Sequence, residues 1–80
     1  MPVILRIKGY SFFFYSNEGN PLEPDHIHVR SSEAEAKFWL RPFVTLARND
    51  GFSSRQITEL EGYVKQHRKL FTEAWHGYFS

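Results

Sequence analysis

Polar and apolar residues alternate with a period of two through His26-Ile27-His28-Val29-Arg30 and again through Ala34-Glu35-Ala36-Lys37-Phe38-Trp39-Leu40. That is the pattern of a strand with one buried face and one wet face. Joined as a hairpin across Ser31-Ser32, the two runs set Arg30 against Glu33, His28 against Glu35 and His26 against Lys37, and opposed residues share a face. One side then gathers His26, His28, Arg30, Glu33, Glu35 and Lys37, with Trp39 beyond. Ile27, Val29, Ala34, Ala36, Phe38 and Leu40 turn to the other side and need a core.

Upstream, residues 3–7 and 10–15 are β-prone and flank Lys8-Gly9, a two-residue connection suited to a tight hairpin. This register opposes Ile7 to Tyr10, Leu5 to Phe12 and Val3 to Phe14, an apolar face, and leaves Ile4, Arg6, Ser11, Phe13 and Tyr15 on a mixed reverse face. Residues 16–24 contain Asn17, Gly19, Asn20, Pro21 and Pro24 and read as a loop. Pro42 stops or bends the fourth strand, 44–47 is a candidate short fifth strand, and Asn49-Asp50-Gly51 is a turn.

The period then changes. Ile57, Leu60, Val64, Phe71, Ala74 and Tyr78 follow three- and four-residue steps broken by His67, and Tyr63, Leu70 and Trp75 widen the stripe. Ser53 with Gln56 fits a capping box, with Phe52 at the staple position. Residues 54–76 would form a helix of roughly 35 Å, ended by Gly77. The fold predicted is a single α+β domain over 1–80, a small, mostly antiparallel sheet of four or five strands (3–7, 10–15, 26–30, 34–40 and 44–47) against one long C-terminal helix (54–76). The helix covers the Ile27/Val29 face and leaves the histidine face open.

Eighty residues allow one small core, and an aromatic content of 18% supplies large buried areas to so short a chain. With no cysteine there is neither a disulfide framework nor a thiolate site, which favours a reducing compartment. No signal-peptide pattern opens the chain and no run reaches the roughly 20 apolar residues of a membrane span, so the expectation is a cytoplasmic protein without membrane contact. A formal charge of +1 argues against holding nucleic acid by bulk charge. A local patch remains open, because Glu18, Glu23 and Asp25 fall in one loop while Arg30, Lys37, Arg41 and Arg48 follow it.

His26 and His28, two apart on one strand, point the same way with α-carbons roughly 6.5–7 Å apart. That reach suits an acid and a base about a phosphate, or two ligands of one metal ion with Glu35 as a third. Glu35 could alternatively orient His28, while Arg30 and Lys37 bind a phosphate and Trp39 stacks on a base. The plain alternative is an exposed strand face with ordinary cross-strand charge pairing. Neither the H-E-x-x-H spacing nor the paired cysteines of familiar zinc sites occurs. His67 lies on the core stripe, where an interior role is expected, and His76 near the helix C-terminus, where it would cap.

Taken together, the segments Met1 to Ile7, Gly9-Tyr-Ser-Phe-Phe-Phe-Tyr-Ser-Asn17, Pro24-Asp-His-Ile-His-Val-Arg30, Glu35-Ala-Lys-Phe-Trp-Leu40, Asn49-Asp-Gly-Phe-Ser53 and Leu70-Phe-Thr-Glu-Ala-Trp-His-Gly-Tyr-Phe79 resemble the bacterial family catalogued as domain of unknown function 4160. Asp25 stands where family members usually carry the second proline of Pro-Pro-His. The resemblance implies a small protein encoded beside another, the pair classed by analogy as a type II toxin–antitoxin module with this chain as the toxin-like member. It supplies no catalytic residues.

Three functional expectations follow. In the first, the chain acts on RNA or another phosphate-bearing target without a metal or other cofactor. His28, oriented by Glu35, is then the base, His26 the acid, and Arg30 and Lys37 the phosphate clamp beside Trp39. In the second, it is a non-catalytic module that binds a protein partner through the aromatic face (Phe13, Tyr15, Trp39, with Arg41) or an edge strand; an antitoxin-like neighbour belongs to the toxin-like reading, and a dimer through an exposed edge strand is a separate expectation. In the third, the histidines bind a metal. Whether the chain is an enzyme, such as a metal-independent ribonuclease, stays open at this level.

Overall fold

A computed structural model describes residues 2–16 and 23–79. The loop reading of 17–22, with Glu18, lies outside the described residues. Five strands, β1 (Val3–Ile7), β2 (Tyr10–Phe13), β3 (His26–Arg30), β4 (Glu35–Trp39) and β5 (Thr45–Asp50), form one antiparallel meander in chain order. Two helices follow, α1 (Ser54–Gln66) and α2 (Arg68–Phe79), giving the α+β class expected.

The first hairpin turns as its sequence requires. Lys8 and Gly9 both take positive φ, 49° and 83°, the geometry that lets a two-residue turn match the twist of its strands. Ile7 opposes Tyr10 and Leu5 opposes Phe12, but a bulge between Val3 and Leu5 then brings Val3 opposite Phe13 rather than Phe14. The β3–β4 register also differs from expectation. Arg30 opposes Glu35, His28 opposes Lys37 and His26 opposes Trp39. The connection is longer than Ser31-Ser32, closed by Ser31 N–H donating to the Ala34 carbonyl at 2.9 Å. A slip of two residues preserves every face, whereas a slip of one would have inverted them.

The fifth strand is longer than predicted and displaced toward the C-terminus, so Asn49 and Asp50 belong to β5 rather than to a turn. The reversal falls at Gly51, whose φ is +106° and whose missing Cβ would stand 3.1 Å from Ala34 Cβ. The Asn49 side chain bridges this bend, its Oδ1 accepting from Phe52 N–H at 3.0 Å and its Nδ2 donating to Phe52 O at 2.9 Å. The capping box forms as read: Ser53 Oγ accepts from Gln56 N–H at 3.1 Å and Gln56 Oε1 accepts from Ser53 N–H at 2.9 Å.

The single helix over 54–76 is corrected to two. His67 leaves helical geometry (φ −109°, ψ 18°), although its N–H still donates to Tyr63 O at 3.0 Å and its carbonyl still accepts from Phe71 N–H at 3.0 Å. Arg68 Nε donates to the Leu40 carbonyl at 2.8 Å, which pins the start of α2 to the chain leaving β4. The bend lets α1 lie beside β5 while α2 turns onto β3. Gly77 does not end the helix, which runs to Phe79. His76 lies in the last turn of α2, as expected, and its Nε2 is also 3.0 Å from Asp25 Oδ2.

The core sits between the helices and one sheet face. Phe12, Ile27, Val29 and Phe38 from the sheet join Leu60, Val64, Phe71 and Trp75 from the helices in one buried cluster. Each such side chain contributes roughly 1.5–3 kcal/mol on burial, which holds two short helices down. No helix among the described residues is long and apolar enough to cross a membrane.

Candidate functional site

The alternation along β3 brings His26, His28 and Arg30 to the face opposite Ile27 and Val29, as the pattern required. That face was expected to be uncovered. It is not: His26 is 0% exposed and His28 3%.

Rings from the sheet itself close it. Phe13, also 0% exposed, lies nearly parallel to the His28 imidazole with centroids 5.5 Å apart. Tyr15 meets His28 edge-on at 4.6 Å, and the Arg30 guanidinium carbon lies 5.0 Å from the Phe13 ring centre. His26 is perpendicular to His28 at 5.1 Å and to Trp39 at 5.6 Å. Trp75 reaches it from α2 at 4.6 Å. Stacked and edge-to-face contacts at these separations are favourable beyond the area they bury.

The polar rim is held just as closely. The Tyr15 hydroxyl donates toward both Glu35 carboxylate oxygens, at 2.8 and 3.0 Å. Glu35 Oε2 lies 3.8 Å from His28 Nδ1, too far for a hydrogen bond, so tyrosine rather than histidine orients this carboxylate. Lys37 Nζ sits 4.4 Å above the Trp39 ring and 3.0 Å from Glu23 Oε1. Arg48, which opposes Lys37 on β5, lies 2.9 Å from Asp50 Oδ2 and 4.0 Å from Glu35 Oε2. His26 Nδ1 is 3.0 Å from the Pro24 carbonyl. A carbonyl only accepts, so Nδ1 carries the proton and donates.

The sequence-derived set therefore converges in space while the accessibility expected of it fails. His26, His28, Glu35, Arg30, Lys37 and Trp39 surround one ring cluster, but both imidazoles are at its centre. Lys37 and Arg48 each stand beside a carboxylate, and Arg30 over a ring. Phe13, read earlier as part of a docking surface, is interior. Tyr15, expected to dock a partner, instead reaches Glu35. Its hydroxyl contact with Glu35 depends on cross-strand packing that periodicity does not reveal. Among the described residues, no three His, Cys, Asp or Glu side chains are grouped so as to hold a metal ion. His67, half-buried, packs its ring on Phe71 at 6.2 Å and does not join His26 or His28.

One of the two edge strands, β5, is open to contact. All six residues of β5 are exposed, and the large apolar side chains Phe43 and Leu46 beside it and within it are 71% and 37% exposed.

Comparison with known families matches residues 9–76 to the model of a domain of unknown function, DUF4160. Neither the curated proteins nor the solved structures give a match.

Proposed function

The chain belongs to the DUF4160 family, and from that premise we propose that it is a binding module, the toxin-like member of a two-protein pair that works in the cytoplasm. Its partner is a small cognate protein that adds an extended segment along β5. One contrast carries this reading: the imidazoles of the candidate catalytic strand are 0% and 3% exposed, whereas the outermost strand is exposed along its whole length with Phe43 and Leu46 beside it.

The outer edge of a terminal strand carries N–H and C=O groups available to another chain, and strand addition satisfies them while alternate side chains supply specificity. Phe43 and Leu46 would give such a segment apolar anchors, and Trp39, opposite Thr45 across the β4–β5 pair, lies at the same rim. Arg48 and Asp50 leave the edge charged in the unbound state, which discourages indiscriminate pairing.

The test combines growth arrest on expression with co-purification of the protein encoded alongside. Phe43→Asp with Leu46→Lys should abolish the complex, and Trp39→Ala should weaken it. His28→Gln, checked for folding by circular dichroism, should leave both binding and growth arrest intact. A folded His28→Gln variant that binds its partner but no longer arrests growth would replace this reading with imidazole chemistry on RNA or another phosphate-bearing target. Sedimentation of the chain alone, showing a dimer lost with Leu46→Lys, would make a second copy the occupant of the edge instead.

A further inference from the structure

At the end of β3 distant from the Arg30 turn, a second cluster brings together three residues far apart in sequence. Asp25 is 4% exposed. Its Oδ1 accepts from Arg41 Nη2 at 2.9 Å, and its Oδ2 lies 3.0 Å from His76 Nε2 without an aligned hydrogen bond. The two partners are not buried with it: the Arg41 side chain is 51% exposed and that of His76 is 55% exposed. Both line a cleft of about 420 Å³ whose other walls are Glu23, Pro24, Trp75 and Phe79.

From this geometry we infer that the cleft binds a small organic oxyanion, its charged group held between Arg41 and His76 and its apolar body against Pro24, Trp75 and Phe79. This site is separate from the β5 edge and does not depend on the proposed partner. A guanidinium has five N–H donors, and the Asp25 contact engages one of its nitrogens. His76 Nε2 stands near Asp25 Oδ2 without an aligned hydrogen bond, so the exposed imidazole keeps a ring nitrogen for a ligand. Asp25 thus fixes the Arg41 guanidinium from behind without occupying the space before it. Preorganised donors of this kind, with a planar fork among them, are what phosphate and carboxylate recognition requires.

The remaining carboxylate at the rim is already engaged. Glu23 is paired with Lys37 Nζ at 3.0 Å. The volume falls in the range of small-molecule sites and exceeds the need of a bare inorganic anion. Two aromatic side chains opposite the cations then account for the remainder of the space.

The experiment is a titration of the folded chain followed by two-dimensional NMR, with phenyl phosphate, benzoate, inorganic phosphate and phenol as probes. Phenyl phosphate or benzoate should shift the Trp75 indole and His76 ring signals and bind at least tenfold more tightly than inorganic phosphate or phenol. A preference for phenyl phosphate assigns a phosphate ester and the reverse preference a carboxylate. Arg41→Gln and His76→Gln should each weaken the better probe about tenfold, while Arg55→Gln, on exposed α1 surface, should leave it unchanged. The inference is overturned if neither aromatic anion perturbs Trp75 or His76, or if a folded Arg41→Gln variant binds as the parent does. It is overturned equally if Arg55→Gln loses as much affinity as Arg41→Gln.

Discussion

On one face of the sheet, Ile27 and Val29 are covered by two helices and join Leu60, Val64 and Phe71 in a single apolar cluster. On the other, the same strand presents His26 and His28, which are buried almost as completely by Phe13 and Trp39 from neighbouring strands, by Tyr15 just beyond β2 and by Trp75 from α2. The first face is closed by an added layer of structure, the second mainly by the sheet's own side chains lying over it. The difference bears on function. Polar side chains on a strand face opposite a helix layer are ordinarily solvated, so two histidines there invite a catalytic interpretation. Large rings at cross-strand positions are enough to turn them into part of a second, thinner core.

That contrast sets an order of effects. Phe71→Ala, on the helix face, should cost about 3–5 kcal/mol in urea unfolding, because it leaves a cavity under α2. His28→Ala should cost about 1–3 kcal/mol, since it removes the ring between Phe13 and Tyr15 and exposes partners to a void. A cost as small as that of a surface substitution would mean that the second face is not a core at all. Tyr15→Phe should lose about 1 kcal/mol by taking the donor from Glu35, and the loss should vanish in a Glu35→Ala background if that contact is the reason. Arg48→Ala, whose ion pairs lie at the exposed edge, should change stability by less than about 0.5 kcal/mol.

Much of this was readable beforehand because period-two alternation decides faces independently of register. His26, His28 and Arg30 were placed together, and so were Ile27 and Val29, even though the β3–β4 pairing slipped by two residues. The capping box at Ser53 and Gln56 was equally plain, being a local motif that needs no tertiary partner. The bend at His67 was not, since the apolar stripe continues through it and only the Arg68 contact to the Leu40 carbonyl redirects α2. Nor was the burial of the imidazoles, which depends on how far Phe13, Tyr15 and Trp39 lean along and across the strands. The Asp25–Arg41–His76 cluster was the least visible. Its three members come from a loop, the end of β4 and the last helix, and no spacing rule connects them.

The account rests on the imidazoles of β3 being interior, and chemical footprinting reads this directly. Treatment of the folded chain with diethyl pyrocarbonate, mapped by mass spectrometry, should modify His76 readily and leave His26 and His28 untouched until denaturant unfolds the domain. Modification of His26 and His28 in the native protein at the rate seen for His76 would contradict it, and would return the histidine strand to the surface as a candidate for chemistry.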